Sequence, residues 1–273
     1  MNLSFEEIQT ALQKQYYINV PFPIARSALD ETVQAFFKFL AEPEAIKTHI
    51  DFSIAPKHRR GDVGYKHRNT SDDFYNDNKD FFHYHPALLE KYADFLQKQP
   101  VVYDFVFKAK PIWELAYQTV SKILKTFEPT SPGIHAKIFG TKQVHLLLRF
   151  LRYDWQASGQ YLAKPHFDAG SFTLAIAESG PGLRIGSCPE NLQLVEHRSQ
   201  NAIFMLSSNF QKVINTNNQL CAGWHDVIQL DKSLIGKPFA RWAIVAFIEA
   251  HDVEALPRAE THRWYTAGER PTS

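Results

Sequence analysis

Lys164 to Glu178, KPHFDAGSFTLAIAE, decides how the second half of this chain folds. It sets His166-Phe167-Asp168 ahead of the short apolar run SFTLAIAE. Working outward, runs of the same kind recur on both sides: HLLLRFLRY (145–153), GLRIG (182–186), LQLVEH (192–197), NAIFMLSS (201–208), VINT (213–216), WHDVIQL (224–230) and RWAIVAFIEA (241–250). All are β-rich, and Gly, Pro, Asn and Ser separate them. Many short strands at this spacing argue for a β-sandwich or barrel.

Ahead of residue 131 the pattern changes. Ser4-Phe5-Glu6-Glu7 has the form of a capping box, Ser at the cap and Glu three residues on. Phe5, Ile8 and Leu12 follow at helical spacing. The spacing predicts a second helix over 28–40, a short strand in YYINVPFPI, and further helices over 87–97 and 102–127, the last with Pro111 placed to kink or split it. Residues 51–85 read as loop. The expected architecture is therefore mainly β with supporting α-helices. A mainly helical part, 1–130, supports a β core, 131–273, in one domain, a length that single all-β domains reach.

Composition narrows the function. With 44% hydrophobic residues the chain can bury a sizeable core, and a formal charge of +1 gives no field to recruit nucleic acid or an anionic membrane. The cluster Lys57-His58-Arg59-Arg60 is short, and reads as a solvated loop or an anion contact. Cys188 and Cys221, without a CxxC, make neither a disulfide framework nor a thiolate metal site. The amphipathic start MNLSFEEIQTALQKQ lacks a signal-peptide core, and no run approaches the roughly 18 apolar residues that span a bilayer. The expectation is a cytoplasmic protein with no nucleic-acid or membrane partner and no protein partner implied. GPGLRIG (180–186) lacks the glycine spacing of a dinucleotide fingerprint and reads as a turn entering a strand.

The histidines carry the chemistry. On a strand, residues i and i+2 share a face, so His166 and Asp168 would offer an imidazole and a carboxylate to one ion. That donor pair suits Fe(II), Zn(II) or Mn(II). Two polar residues on one strand is the bland reading. His225, in a distant strand, could close the set across a barrel, or be a satisfied core histidine beside Trp224. Two histidines and a carboxylate cover one face of an octahedral ion and leave three positions open, the pattern of non-haem Fe(II) oxygenases. Arg241 opens an apolar strand. A buried arginine needs an anion, and its fork matches a carboxylate. The partner is an acidic cosubstrate, Glu249 or solvent.

Taken in order, HLLLRFLRY, HxDAGxxTL, Gly182-Leu183, SSNF, WHDV and the arginine of an apolar strand resemble the isopenicillin N synthase-like family of 2-oxoglutarate- and Fe(II)-dependent dioxygenases. Gly64-Tyr65 and DNKDFFHYHP (77–86) resemble its N-terminal motifs. The resemblance implies a double-stranded β-helix (jelly roll) core, Fe(II) and O2 with 2-oxoglutarate as cosubstrate, and oxidation of a small molecule by hydroxylation, desaturation or cyclisation. It makes His166, Asp168 and His225 the iron ligands, and Arg241 the holder of the cosubstrate's distal carboxylate, with Tyr153 beside it. Phe167, His83 and Phe247 are candidate substrate contacts. His83-Tyr84-His85 falls in the aromatic HP stretch, where a structural or substrate-adjacent role fits better than metal binding.

Three features depart from that pattern. Arg241-Trp242-Ala243 lacks the serine of the RxS motif, LDKSLIGKPFA (230–240) lengthens the interval after His225, and Leu151 stands where the family has asparagine. They leave open an Fe(II) oxidase on the same fold that does not use 2-oxoglutarate. A non-catalytic ligand-binding protein on the same barrel is a rival from a different class, against which the intact His166, Asp168 and His225 set argues.

Overall fold

The capping box closes as its sequence requires. Glu7 N–H donates to Ser4 Oγ at 3.2 Å, and Ser4 N–H donates to the Glu7 carboxylate at 2.7 Å. From there the computed structural model describes residues 3–55, 61–68, 78–154, 161–214, 220–231, 239–251 and 253. In chain order the elements are α1 (Phe5–Gln15), β1 (Tyr17–Pro21), α2 (Arg26–Leu40), α3 (Glu44–Lys47), β2 (Asp51–Ser53), β3 (Asp62–Arg68) and β4 (Lys79–Tyr84). Next come α4 (Ala87–Lys91), α5 (Ala93–Lys98), α6 (Pro100–Phe127), α7 (Ile134–Phe139), β5 (Leu146–Tyr153), β6 (Tyr161–His166) and β7 (Phe172–Glu178). The last are β8 (Leu183–Gly186), β9 (Leu192–Leu194), β10 (Asn201–Leu206), β11 (Trp224–Ile228) and β12 (Arg241–Ile248).

The strands form two antiparallel sheets, eight-stranded β1-β10-β7-β12-β5-β4-β3-β2 and four-stranded β6-β11-β8-β9, the mainly β, jelly-roll core expected from the sequence. Alternation along the large sheet separates its two faces. Phe150 of β5 and Phe82 of β4 meet Phe105 of α6 at centroid distances of 5.1 and 5.3 Å, and Phe36 and Phe39 of α2 complete the cluster. The opposite face carries Arg149, Leu151 and Tyr153 on β5 and Arg241, Ala243, Val245 and Phe247 on β12. These residues line a cavity whose other wall is the small sheet.

Two local expectations change. Residues 51–85 are not one loop: β2, β3 and β4 extend the large sheet. Their polarity hid them, because β4 buries Asp80 only by satisfying it. Tyr65 Oη, His67 Nδ1 and Arg152 Nη2 donate to its carboxylate at 2.7, 3.0 and 2.6 Å. Those donors come from β3 and β5, so the pattern makes sense only once the strands pair. Pro111 does not split its helix: α6 runs unbroken for 28 residues. The bond it removes would have reached the carbonyl of Phe107, which is on the exposed side, where water can replace it. Lys57-His58-Arg59-Arg60, residues 69–77 and residues 232–238 lie outside the described residues.

Candidate metal centre and its cavity

His166 and His225 meet as a cross-strand pair. They are directly opposed in the β6–β11 ladder, with ring centroids 4.3 Å apart. Asp168 arrives differently from the strand alternation expected of it. β6 ends at His166, and Asp168 sits on the connection to β7. The turn, not a shared strand face, brings its carboxylate to the imidazoles.

The donor atoms of the three residues lie within 4.8 Å of one another. Backbone carbonyls fix the tautomers. His166 Nδ1 lies 2.6 Å from Lys164 O and His225 Nδ1 3.4 Å from Gly223 O, so each Nδ1 carries the hydrogen and each Nε2 presents its lone pair. Those lone pairs face Asp168, at 3.7 Å from Oδ1 and 3.5 Å from Oδ2. Thr173 Oγ1 donates to Asp168 Oδ2 at 2.8 Å and also meets Ser207 Oγ, which fixes the carboxylate's rotation. Three acceptors converging with no donor between them are mutually repulsive unless a cation joins them. The donor set therefore fits a divalent, borderline-hard metal ion.

Proton affinities report the same crowding. Burial would raise the Asp168 carboxyl, but His225 and His166 outweigh it and hold it well below the usual carboxylate range. Burial would lower His225, but the Asp168 carboxylate raises it, while burial and His225 together lower His166.

Arg241 stands across the cavity, 4% exposed, beside Tyr153, its cross-strand neighbour on β5. Burial lowers its pKa to about 10. Neither Glu249 nor solvent takes its fork. Nη2 pairs with Glu178, while Nε and Nη1 are buried without a hydrogen-bond partner among the described residues. Glu249 instead accepts from Ser171 at 2.5 Å and Asn209 at 2.9 Å. Gly182 makes room for the guanidinium, since a Cβ there would lie 2.4 Å from Arg241 Nη1.

The substrate candidates separate. Phe247 lines the cavity with the Arg149 guanidinium 4.4 Å over its ring. His83 stands just behind, donating from Nδ1 to Asp62 O at 2.8 Å and accepting from Arg149 Nε at 2.8 Å. Phe167 points away from the cavity and packs on Trp224 at 4.1 Å. His85 uses both nitrogens structurally, Nε2 toward Val144 O at 3.1 Å and Nδ1 accepting from Ala87 N–H at 3.2 Å. Sequence reasoning missed Thr173, Glu178 and His197. Only Thr173 carried a local signal, as the one polar residue among the apolar positions 172–177 of β7.

No protein-family model and no curated protein matches the chain. Solved structures do. A full-length Neurospora crassa protein in complex with alpha-KG aligns with a TM-score of 0.65 at 14% identity, covering 96% of this chain and 88% of that one. Dioxygenase for auxin oxidation 1 from Arabidopsis thaliana, in complex with 2-oxoglutarate, gives 0.62 at 16% identity, with 94% and 91% covered. JOX2 in complex with 2OG, Fe and JA gives 0.62 at 16% identity, with 90% and 70% covered. At such identities the common property is the fold.

Proposed function

We propose that this chain is an Fe(II)- and 2-oxoglutarate-dependent oxygenase that oxidises a small molecule. One observation carries the reading: three convergent acceptors, His166 Nε2, Asp168 and His225 Nε2, face across one cavity a buried arginine with two donors unpartnered among the described residues. Bound by the three acceptors, Fe(II) would supply the redox chemistry by which O2 and 2-oxoglutarate yield succinate and CO2 as a substrate C–H bond is oxidised.

The rest falls to the protein. The carbonyls of Lys164 and Gly223 keep both imidazoles in the tautomer that leaves Nε2 bare, and Thr173 holds the carboxylate. Arg241, with Tyr153 beside it, receives the distal carboxylate of the cosubstrate. Leu151, Ala175, Val227, Val245 and Phe247 give the cavity apolar walls that exclude water and hold a substrate close to the centre. A small-molecule substrate also fits the relatives of this fold, since the Neurospora crassa protein has been solved with thymine and JOX2 with JA.

A second reading, an Fe(II) oxidase that does not use 2-oxoglutarate, is favoured by the Arg241–Glu178 pair, which gives the arginine an anion of its own. Anaerobic loading with Fe(II), then addition of O2 with and without 2-oxoglutarate, separates the two. Stoichiometric succinate, abolished in Arg241→Ala, supports the first. O2 consumption indifferent to both supports the second. Unchanged metal content in His166→Ala would overturn the metal centre.

A further inference from the structure

Arg241 belongs to a buried three-member cluster. Glu178 pairs with Arg241 through Oε2, and its Oε1 lies 3.2 Å from His197 Nδ1, on the segment between β9 and β10. The side chains of Arg241, Glu178 and His197 are only 4%, 7% and 13% exposed. A bulge puts Glu178 there. Ile244 pairs with Ala177, but Val245 pairs with Ala175, so the β7 register slips by one residue and Glu178 falls opposite Ala243, on the cavity face.

His197 Nε2 lies 3.1 Å from the carbonyl of Ala175, which can only accept, so Nε2 carries a hydrogen. Nδ1 then turns either a lone pair or a second N–H toward Glu178, and it has no aligned hydrogen-bond partner among the described residues. A neutral ring beside an ionised carboxylate sets two electron-rich atoms 3.2 Å apart in a dry site. One added proton, on either group, turns that repulsion into attraction. It also sets the charge. Arg241 and Glu178 cancel, so the cluster is neutral without the proton and carries one positive charge with it. The neutral cluster has little attraction for an anion, yet Arg241 Nε and Nη1 are buried donors that need an acceptor.

We propose that Arg241, Glu178 and His197 form a proton-linked carboxylate receptor, which takes up the distal carboxylate of 2-oxoglutarate together with one proton. The inference rests on the cosubstrate reading above. Glu178 and His197 are positioning residues in it, supplying at this end of the cavity what the missing serine hydroxyl would otherwise supply. The other charged groups near the cluster leave this arithmetic intact. Arg26 donates to the Glu178 backbone carbonyl at 3.1 Å and is itself paired with Asp30. Lys79, over the Tyr153 ring, and Arg149, over the Phe247 ring, line the same cavity as cations in both states of the cluster, and Asp168 lies there with its two histidines. Burial, helped by Arg26, holds the His197 imidazole below its ordinary range, in keeping with a ring that holds a second proton only when a bound anion compensates its charge.

The test is anaerobic calorimetry of 2-oxoglutarate binding to Mn(II)-loaded protein between pH 6 and 9, in buffers of different ionisation heat. Proton uptake should approach one per 2-oxoglutarate as pH rises, with Kd weakening by up to tenfold per pH unit. Glu178→Gln removes the carboxylate and leaves Arg241 cationic, so uptake should vanish and Kd should become flat with pH. That variant also separates this proton from any released at the metal. Flat Kd and no uptake in the wild-type protein overturn the inference and leave the function standing. Binding only in Glu178→Gln overturns it too, by making Glu178 a permanent occupant of the fork. No binding in either protein at any pH overturns the cosubstrate reading with it.

Discussion

Gly182→Ala tests how the arginine end of the cavity is built. Gly182 has φ +148°, a backbone state that a side chain adopts at a strain of about 1–3 kcal/mol. The added Cβ would lie 2.4 Å from Arg241 Nη1 and 2.5 Å from Ile228 O, roughly 1 Å inside ordinary contact. Ile228 cannot give way, because its N–H bonds Gly182 O at 3.0 Å and it closes the β11 ladder. Arg241 can yield only by swinging into the cavity. Overpacking of this kind costs about 1–3 kcal/mol more. The total, about 4 kcal/mol, corresponds at this chain length to a Tm drop of roughly 8–16 °C. Gly180→Ala, two residues away, is the control: a Cβ there meets nothing within 4 Å, and the change should be neutral or slightly stabilising. The assays are thermal melts and 2-oxoglutarate titration of both variants, with affinity lost only in Gly182→Ala. Equal melting temperatures and equal affinities would refute the assignment of Gly182 as the space that seats Arg241.

Thr173→Val removes the hydroxyl that orients Asp168 and should weaken metal binding about 10–100-fold with the fold intact, read by metal titration. An unchanged affinity would place the control of Asp168 elsewhere. Ala243→Ser puts a hydroxyl opposite Glu178, beside Arg241, and should tighten 2-oxoglutarate about fivefold, one hydrogen bond's worth. Binding that weakens would count against that end as the carboxylate subsite. At Asp80, burial acts to raise the carboxyl, but the bonds from Tyr65, His67 and Arg152 outweigh it and lower it. A lowered folded-state pKa gives stability that is present above the ordinary aspartate range and is lost as pH falls through the folded value. Asp80→Asn should therefore cost about 3 kcal/mol at pH 7, and the gap to wild type should begin to narrow below about pH 4 and close only under the lowered folded value. Denaturant melts across that range check it, and a constant gap would contradict it.

How much of this was legible in the sequence depends on how local each signal was. The capping box at Ser4, the helical period of α2 and α6, and most of the short β-runs after residue 131 are short-range patterns, and the structure reproduces them. In VINT (213–216), Val213 and Ile214 belong to no strand, and 215–216 lie outside the described residues. The donor types were legible too, because His166, Asp168, His225 and Arg241 stand in an order that few other chemistries require. β2 to β4 were not. Their polar residues signal loop until partners arrive from neighbouring strands, as at Asp80. Asp168 was identified as a partner of His166 by an alternation it does not follow, since its strand ends first.

The sequence by itself determined which donor-bearing side chains are available, His166, Asp168, His225 and Arg241, and that they stand among β-rich runs. The tertiary structure alone decided what stands beside Arg241. By simple alternation, Glu178 would face the helices with Phe172, Leu174 and Ile176. The one-residue slip against β12 turns it into the cavity, and the chain crossing between β9 and β10 brings His197 to it. Register is a property of two strands paired, so no reading of one strand could have supplied it.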